Sequence, residues 1–326
     1  MNGRLEVVDA GIGNSIQDLG RMGYRHMGIA VSGSLDGILA RSANALVGNS
    51  PERACIEVRG AGPALLVKRG RVRVALSGEL TAVVVRADGS EHEFQPWRSL
   101  SLDEGEELRV GYLAGGTGYV AVSGGFSTPV QLGSRSTYLR AEIGTPLVFG
   151  LEIDCAAIES RGAEEYAAKA PWRHESGPIR VRLGPQEDHF TAEAIAAFLS
   201  GEYRAAAESD RMGMRLEGES LSHAAKSLAD IVSDGVTPGA VQVPGNGQPI
   251  ILLSDCQTVG GYPKIATVIT ADLPRLAQVK PGEGIRFEAV DAAQARQALL
   301  SLETRWKWWA HGIGFGLPGA VDNEVE

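Results

Sequence analysis

Hydrophobic and polar positions alternate with a period of two through much of the chain, which predicts strands whose successive side chains face opposite sides of a sheet. Val72, Val74 and Leu76 are separated by Arg73 and Ala75, residues 83–85 form a short buried run, and 119–122 and 179–183 repeat the style. The runs 240–243 and 250–253 flank Asn246-Gly247, a dipeptide suited to a β-turn, while Pro244 makes the connection longer than two residues. Two segments follow the helical period instead. In 34–48, Leu35, Ile38, Leu39, Ser42 and Leu46 share a face; Ser34 is placed to cap the start, Asp36 suits the first turn, and Gly48 closes the end. In 191–200, Ile195, Phe198 and Leu199 are apolar and Gly201 is the stop. The expectation is a mainly β protein with a few short helices, arranged as two β-rich domains.

The boundary falls in 161–177, where alanines, charges and Pro171 read as a linker, with a short helix through 163–169 as the alternative. This gives an N-terminal domain over 1–165, a C-terminal domain over 175–290, and a helical extension or tail over 291–326. A chain of 326 residues is long enough for two such cores. Its 42 glycines favour turn-rich β architecture, and a net charge of −9 without a basic stripe argues against nucleic-acid binding. The three cysteines, Cys55, Cys155 and Cys256, are too far apart for a zinc site or a disulfide framework and are expected to be inert buried thiols. No apolar leader and no run of 18 apolar residues occurs, so the expectation is a cytoplasmic protein without a membrane span.

Candidate chemistry concentrates where polar groups interrupt apolar runs. After 250–253 the chain presents Asp255, Gln257 and Thr258, then Gly260-Gly261, then Tyr262-Pro263-Lys264 before the next apolar run. Proline stiffens the approach to Lys264. An acid or base, amide donors, a phenol and a fixed cation suit acyl, carboxyl or phosphoryl transfer, with Lys264 stabilising an oxyanion. The plainer alternative is a turn capped by Asp255 and a solvated Lys264. Asp210, Arg211 and Arg215 offer a guanidinium clamp for a carboxylate or phosphate, or else an ordinary ion pair that fixes a loop. Ser134 and Arg135, in Gly133-Ser134-Arg135-Ser136-Thr137, offer an anion nest or a polar surface loop. His26 is a candidate proton carrier or a structural donor. The pentamer 21–25 recurs faintly at 211–215, each copy following an aspartate, Asp18 or Asp210. No GxxxxGK[ST] loop, Met-Lys-Met biotin site or HExxH motif is present, so neither a P-loop nor a metal site is expected. The cluster Trp306-Lys307-Trp308-Trp309 is expected to pack onto its own domain, the alternative being a partner contact.

Five blocks carry a family likeness: SIQDLGRMGYRHMGIAVSGSLD with SANALVGN, GSRST, SDRMGMRLEG, SDGVTPGAVQVPGNGQPI, and SDCQTVGGYPKIATVITADLPRLAQ with Lys280-Pro281-Gly282 and Arg286-Phe287. In this order they resemble the biotin-dependent carboxyltransferase-like family, which includes the second subunit of allophanate hydrolase, the carboxyltransferase part of urea carboxylase, the C subunit of 5-oxoprolinase and an antagonist of a sporulation-kinase inhibitor. The resemblance implies a cyclophilin-like β-barrel for the C-terminal domain. The stand-alone length favours the 5-oxoprolinase branch, which implies a hydrolase subunit incomplete by itself. It would act with B-like and A-like partner subunits and ATP with Mg on an amide or lactam substrate. In that reading Lys264 polarises the lactam carbonyl and Arg211 or Arg215 holds the carboxylate. The alternatives are transfer from a carboxybiotin supplied by a partner, and regulation by binding an inhibitor of a histidine kinase.

Overall fold

The computed structural model describes residues 2–159 and 165–316. The start of the expected linker, the first residues of the alternative helix from Ala163, and the end of the expected tail beyond 316 lie outside the described residues. From Glu165 to Ala167 the chain is a strand, not a helix, paired antiparallel with Gly314–Gly316.

Two antiparallel sheets build the first half. One has the order Glu152–Ala156, Asn2–Asp9, Ala64–Arg69, Glu107–Val110, Ala82–Val85, Glu91–Phe94; the other runs Ser15–Gln17, Cys55–Val58, Gly118–Val122, Val72–Ser77, Ser99–Leu102. Leu5, Val67, Val84 and Leu108 of the first sheet meet Ile56, Val74, Val120 and Val122 of the second in one buried cluster. The strand Val72–Ser77 is buried on both faces. Its second face is covered by helix α1, Gly37–Leu46: Ala75 packs with Ile38, Leu39 and Ala43, and the Ser77 hydroxyl donates to Leu39 O at 2.8 Å. Helix α1 starts later than the sequence suggests. Asp36, not Ser34, is its cap, accepting from the N–H groups of Ile38 and Leu39 at 3.1 and 3.0 Å, because the Ser34 hydroxyl donates to Asp18 O instead.

The second half carries an eight-stranded sheet in the order Gly284–Ile285, Tyr203–Ala205, Gly213–Glu217, Ile250–Leu252, Ala240–Gln242, Lys264–Val268, Ile179–Leu183, Phe287–Ala289. Its two edge strands are separated in the chain by Arg286 alone, so the sheet curls into the expected, nearly closed barrel. Val181, Met214, Leu216, Val241, Ile251 and Ile265 fill it. The expected hairpin is present, pairing Val241 with Ile251 and Gln242 with Ile250. Helix α2, Ala192–Ser200, is capped by Thr191 and closed by Gly201 as its sequence indicates, and stacks Phe198 on Phe287 at 4.4 Å. A four-residue helix, α3, spans Leu273–Leu276.

Helix α4, Ala292–His311, begins with a capping box between Asp291 and Gln294. It does not pack only on the half that precedes it. Trp306 is buried against α1, its indole N–H meeting the Ser42 hydroxyl at 3.1 Å while the Arg41 guanidinium sits 3.8 Å from the ring centroid. Trp309 donates to Ala170 O at 2.8 Å, and of the three tryptophans only Trp308 stays open, at 75% exposure. Among the described residues no helix is long and apolar enough to cross a membrane.

Candidate functional site

The segment after Ile250–Leu252 divides its candidates among three environments. Asp255 faces inward, where both its oxygens accept from Arg211 at 2.8 and 3.2 Å. Arg211 continues across the junction between the halves to Glu57 and to Gly33 O, the latter at 2.6 Å. Glu57 in turn accepts from the Tyr119 hydroxyl at 2.7 Å and the Leu35 N–H at 2.8 Å. Burial works against the Arg211 charge, yet the carboxylates of Glu57 and Asp255 hold its pKa above the ordinary value. Arg211 and Asp255 are thus a largely buried strut committed to each other and to Glu57, which does not fit the expected roles as clamp and general acid or base.

The loop 133–137 does build an anion nest, but its anion is internal. The Asp18 carboxylate accepts from the Ser134 hydroxyl, the Arg135 N–H and the Ser136 hydroxyl at 2.6, 2.6 and 2.7 Å, and from the Gly20 N–H at 2.8 Å. Burial alone would raise the Asp18 pKa; these donors lower it below the ordinary carboxylate range. The Ser134 hydroxyl and the Arg135 N–H are thus committed to Asp18, while the Arg135 side chain takes no part in the nest. A carboxylate with a depressed folded pKa contributes stability that is present above its unfolded pKa and lost as pH falls through the folded one. Asp18→Asn is expected to lose about 2 kcal/mol at pH 7, with the gap from wild type closing below about pH 4. Urea titrations at both pH values check this; a gap independent of pH would reject it.

Lys264 is 4% exposed and its ammonium meets the Asp234 carboxylate at 2.8 Å and Gly235 O at 3.4 Å. The same pairing lowers the Asp234 pKa. The cation is held as the Tyr-Pro-Lys sequence suggests, but beside an acid, away from the open surface. His26 is exposed in the turn Arg25–Met27, with no side-chain partner among the described residues and no neighbouring acid to orient it as a proton carrier. All three cysteines are buried; burial pushes the Cys155 thiol up to about 12, and Cys55 and Cys256 are raised as well.

The remaining candidates do converge. A groove of about 680 Å³ on the barrel wall is lined by Asp210, Arg215, Gln257 and Tyr262, together with Arg140 and Gln242. Arg215 reaches it because Gly213–Glu217 alternates, sending Met214 and Leu216 into the barrel and Arg215 outward. Its guanidinium has no hydrogen bond or ion pair among the described residues, whereas Asp210 is paired with Arg140 at 2.9 Å and caps the N–H groups of Met212 and Gly213. Gln257 donates to Gln242 at 3.4 Å, and Gln242 donates to Tyr262 O at 3.3 Å, leaving the Tyr262 hydroxyl, on a side chain 42% exposed, without a partner among the described residues. Gly260 lies against this row, where a Cβ would stand 2.6 Å from Gln242 Nε2. Thr258 and Gly261 contribute backbone carbonyls, to Val236 N and Ile231 N, rather than side-chain chemistry. Gln242 is a polar residue inside the apolar run 240–243, a signal the sequence carried; Arg140 gave none. Among the described residues no group of three or more His, Cys, Asp or Glu is placed to hold a metal ion.

The family described as carboxyltransferase domain, subdomain A and B, matches residues 27–289, and the chain belongs to it. Within that family it is 35% identical to the 5-oxoprolinase C subunit of Haemophilus influenzae over 89% of this chain and 93% of that protein. The crystal structure of TTHA0988 aligns with a TM-score of 0.76 and 34% identity over 88% of this chain, which spans only 56% of that one. The urea amidolyase of K. lactis aligns with a TM-score of 0.82 and 26% identity over 94% of this chain and 20% of its own.

Proposed function

We propose that this chain is the C subunit of an ATP-dependent 5-oxoprolinase, a hydrolase subunit that completes its active site with B-like and A-like partners. The observation that carries the reading is the near end-to-end match with a free-standing 5-oxoprolinase C subunit, 93% of its length, where the urea amidolyase corresponds over a fifth of its own. The groove chemistry suits the substrate. 5-Oxoproline carries a carboxylate, an amide N–H and an amide carbonyl; Arg215 takes the carboxylate, Gln257 Oε1 accepts from the N–H, and the Tyr262 hydroxyl donates to the carbonyl oxygen. These residues bind and orient the ring. ATP with Mg supplies the activation of the amide oxygen in the assembled complex.

Co-expression with a B-like and an A-like partner tests this: the complex is expected to release glutamate from 5-oxoproline only with ATP, and this chain alone to release none. Full turnover by the isolated chain would reject the division of labour. A second reading, carboxyl transfer from a partner's carboxybiotin to urea or a similar amide, is favoured by the likeness to the urea amidolyase. Biotin-dependent carboxylation of urea by the complex, with no lactam opening, would select it.

A further inference from the structure

A second cavity, of about 540 Å³, opens between the halves, well apart in its lining from the barrel groove. Its walls come from three stretches of chain: Trp97 and Gly115 of the first half, Trp172 and Arg173 of the connecting segment, and Gln278 and Lys280 of the second half. Ligand sites of this size favour such junctions. Part of the wall is fixed by its own bonds. His174 and Gln278 both meet the buried Asp36 carboxylate at 2.7 Å, and the Trp172 N–H meets His174 Nδ1 at 3.4 Å.

What the wall leaves free has one character. The Trp97 indole N–H, the backbone N–H groups of Gly115 and its neighbour Gly116, and the Arg173 guanidinium have no acceptor among the described residues. Lys280 has only Glu79, at 3.3 Å, with the two side chains 52% and 82% exposed, a screened pair that a stronger anion displaces. The open groups are therefore mostly donors and cations, with Glu79 the one exposed acid of the lining, beside an indole ring and buried Leu39 and Leu113. Trp97 also holds a left-handed backbone, with φ of 67°, which a bulky residue adopts only when its surroundings enforce it. Its N–H to Leu76 O at 2.8 Å and its carbonyl to Ala168 N at 3.0 Å provide that enforcement.

We propose that this cavity binds a nucleoside phosphate, with the base against Trp97 and the phosphates on Lys280, Arg173 and the Gly115-Gly116 N–H groups. Aromatic faces take any base, and free backbone N–H groups with flanking cations take phosphate oxygens without a P-loop. The inference rests on the 5-oxoprolinase reading only in making ATP the natural occupant; the binding itself is a property of this chain.

Titration of the isolated full chain with ATP, AMP and pyrophosphate, by calorimetry and tryptophan fluorescence, provides the test. ATP is expected to bind and quench fluorescence. Trp97→Gly, which accepts the left-handed backbone without strain, and Lys280→Ala are each expected to weaken ATP binding about tenfold or more. No heat and no quenching at millimolar ATP would overturn the proposal, as would affinity unchanged in both variants. Pyrophosphate binding as tightly as ATP would reduce the cavity to a phosphate site without base recognition and equally overturn it. Lactam opening by the complex when ATP does not bind here leaves the 5-oxoprolinase reading standing and removes this site; ATP binding here without lactam opening does the reverse.

Discussion

Arg211→Met is expected to destabilise the chain by about 3–5 kcal/mol, because it strands two buried carboxylates whose shared counter-charge it removes. The side chains of Glu57 and Asp255 are 0% and 8% exposed, and the guanidinium between them is 13% exposed. Methionine fills the volume, so the loss reports charge rather than a cavity. The double variant Arg211→Met with Glu57→Gln is expected to recover part of the loss, since it neutralises one stranded acid while the amide oxygen still accepts from Tyr119 and Leu35. Urea denaturation of the four members of this cycle measures the coupling. A wild-type midpoint for Arg211→Met would mean the strut does not hold the halves together, and a raised KM at unchanged stability would return Arg211 to substrate binding.

Sequence patterning made many of the strands legible, whereas the barrel was expected from the family resemblance. Patterning failed where contacts distant in sequence decide. The strand Val72–Ser77 shows alternation on paper, yet α1 buries its second face. Glu165–Ala167 has the composition of a short helix, but Tyr166 N–H donates to the Ser99 hydroxyl at 2.8 Å and the strand pairs with Gly314–Gly316, so tertiary pairing overrides local preference. The tryptophan cluster was recognisable as packing material, whereas its destination on α1 depends on the length and direction of α4.

The site was legible by residue type and not by role. Asp255, Arg211 and Lys264 are the charged residues a reader of the sequence would choose, and each is neutralised by a partner: Arg211 by Glu57, 154 positions away, as well as by Asp255, and Lys264 by Asp234. Desolvated charges require such partners, so the same burial that makes a charge conspicuous in an apolar run also makes it structural. The recurrence of the Arg-Met-Gly pentamer has a physical counterpart in buried Arg21 and largely buried Arg211, each near an aspartate that accepts from a local backbone N–H, Asp18 from Gly20 and Asp210 from Met212. The groove instead collects residues that looked secondary, Arg215, Gln257 and Tyr262.

For the assembled enzyme, Arg215→Ala is expected to raise KM for 5-oxoproline about 10- to 100-fold while kcat stays within a few-fold. A charge-assisted hydrogen bond to a carboxylate contributes about 1.5–3 kcal/mol, and each 1.4 kcal/mol is a factor of ten in affinity. The carboxylate keeps its charge throughout ring opening, so Arg215 holds ground state and transition state alike, which is the condition for a KM effect without a kcat effect. Arg211 and Arg215 do not converge: Arg211 precedes the strand and turns into the junction, whereas Arg215 lies on the outward face of Gly213–Glu217. The exposed Arg215 has no partner to strand among the described residues, so its removal should leave the urea midpoint unchanged, the opposite of Arg211→Met. Arg215→Lys separates charge from shape, since the ammonium keeps the attraction and loses the planar fork; an intermediate KM is expected. Steady-state kinetics on the three proteins decides the point: a KM equal to wild type in Arg215→Ala would place the carboxylate outside this groove, and an equal fall in kcat would move Arg215 from binding to the reacting amide.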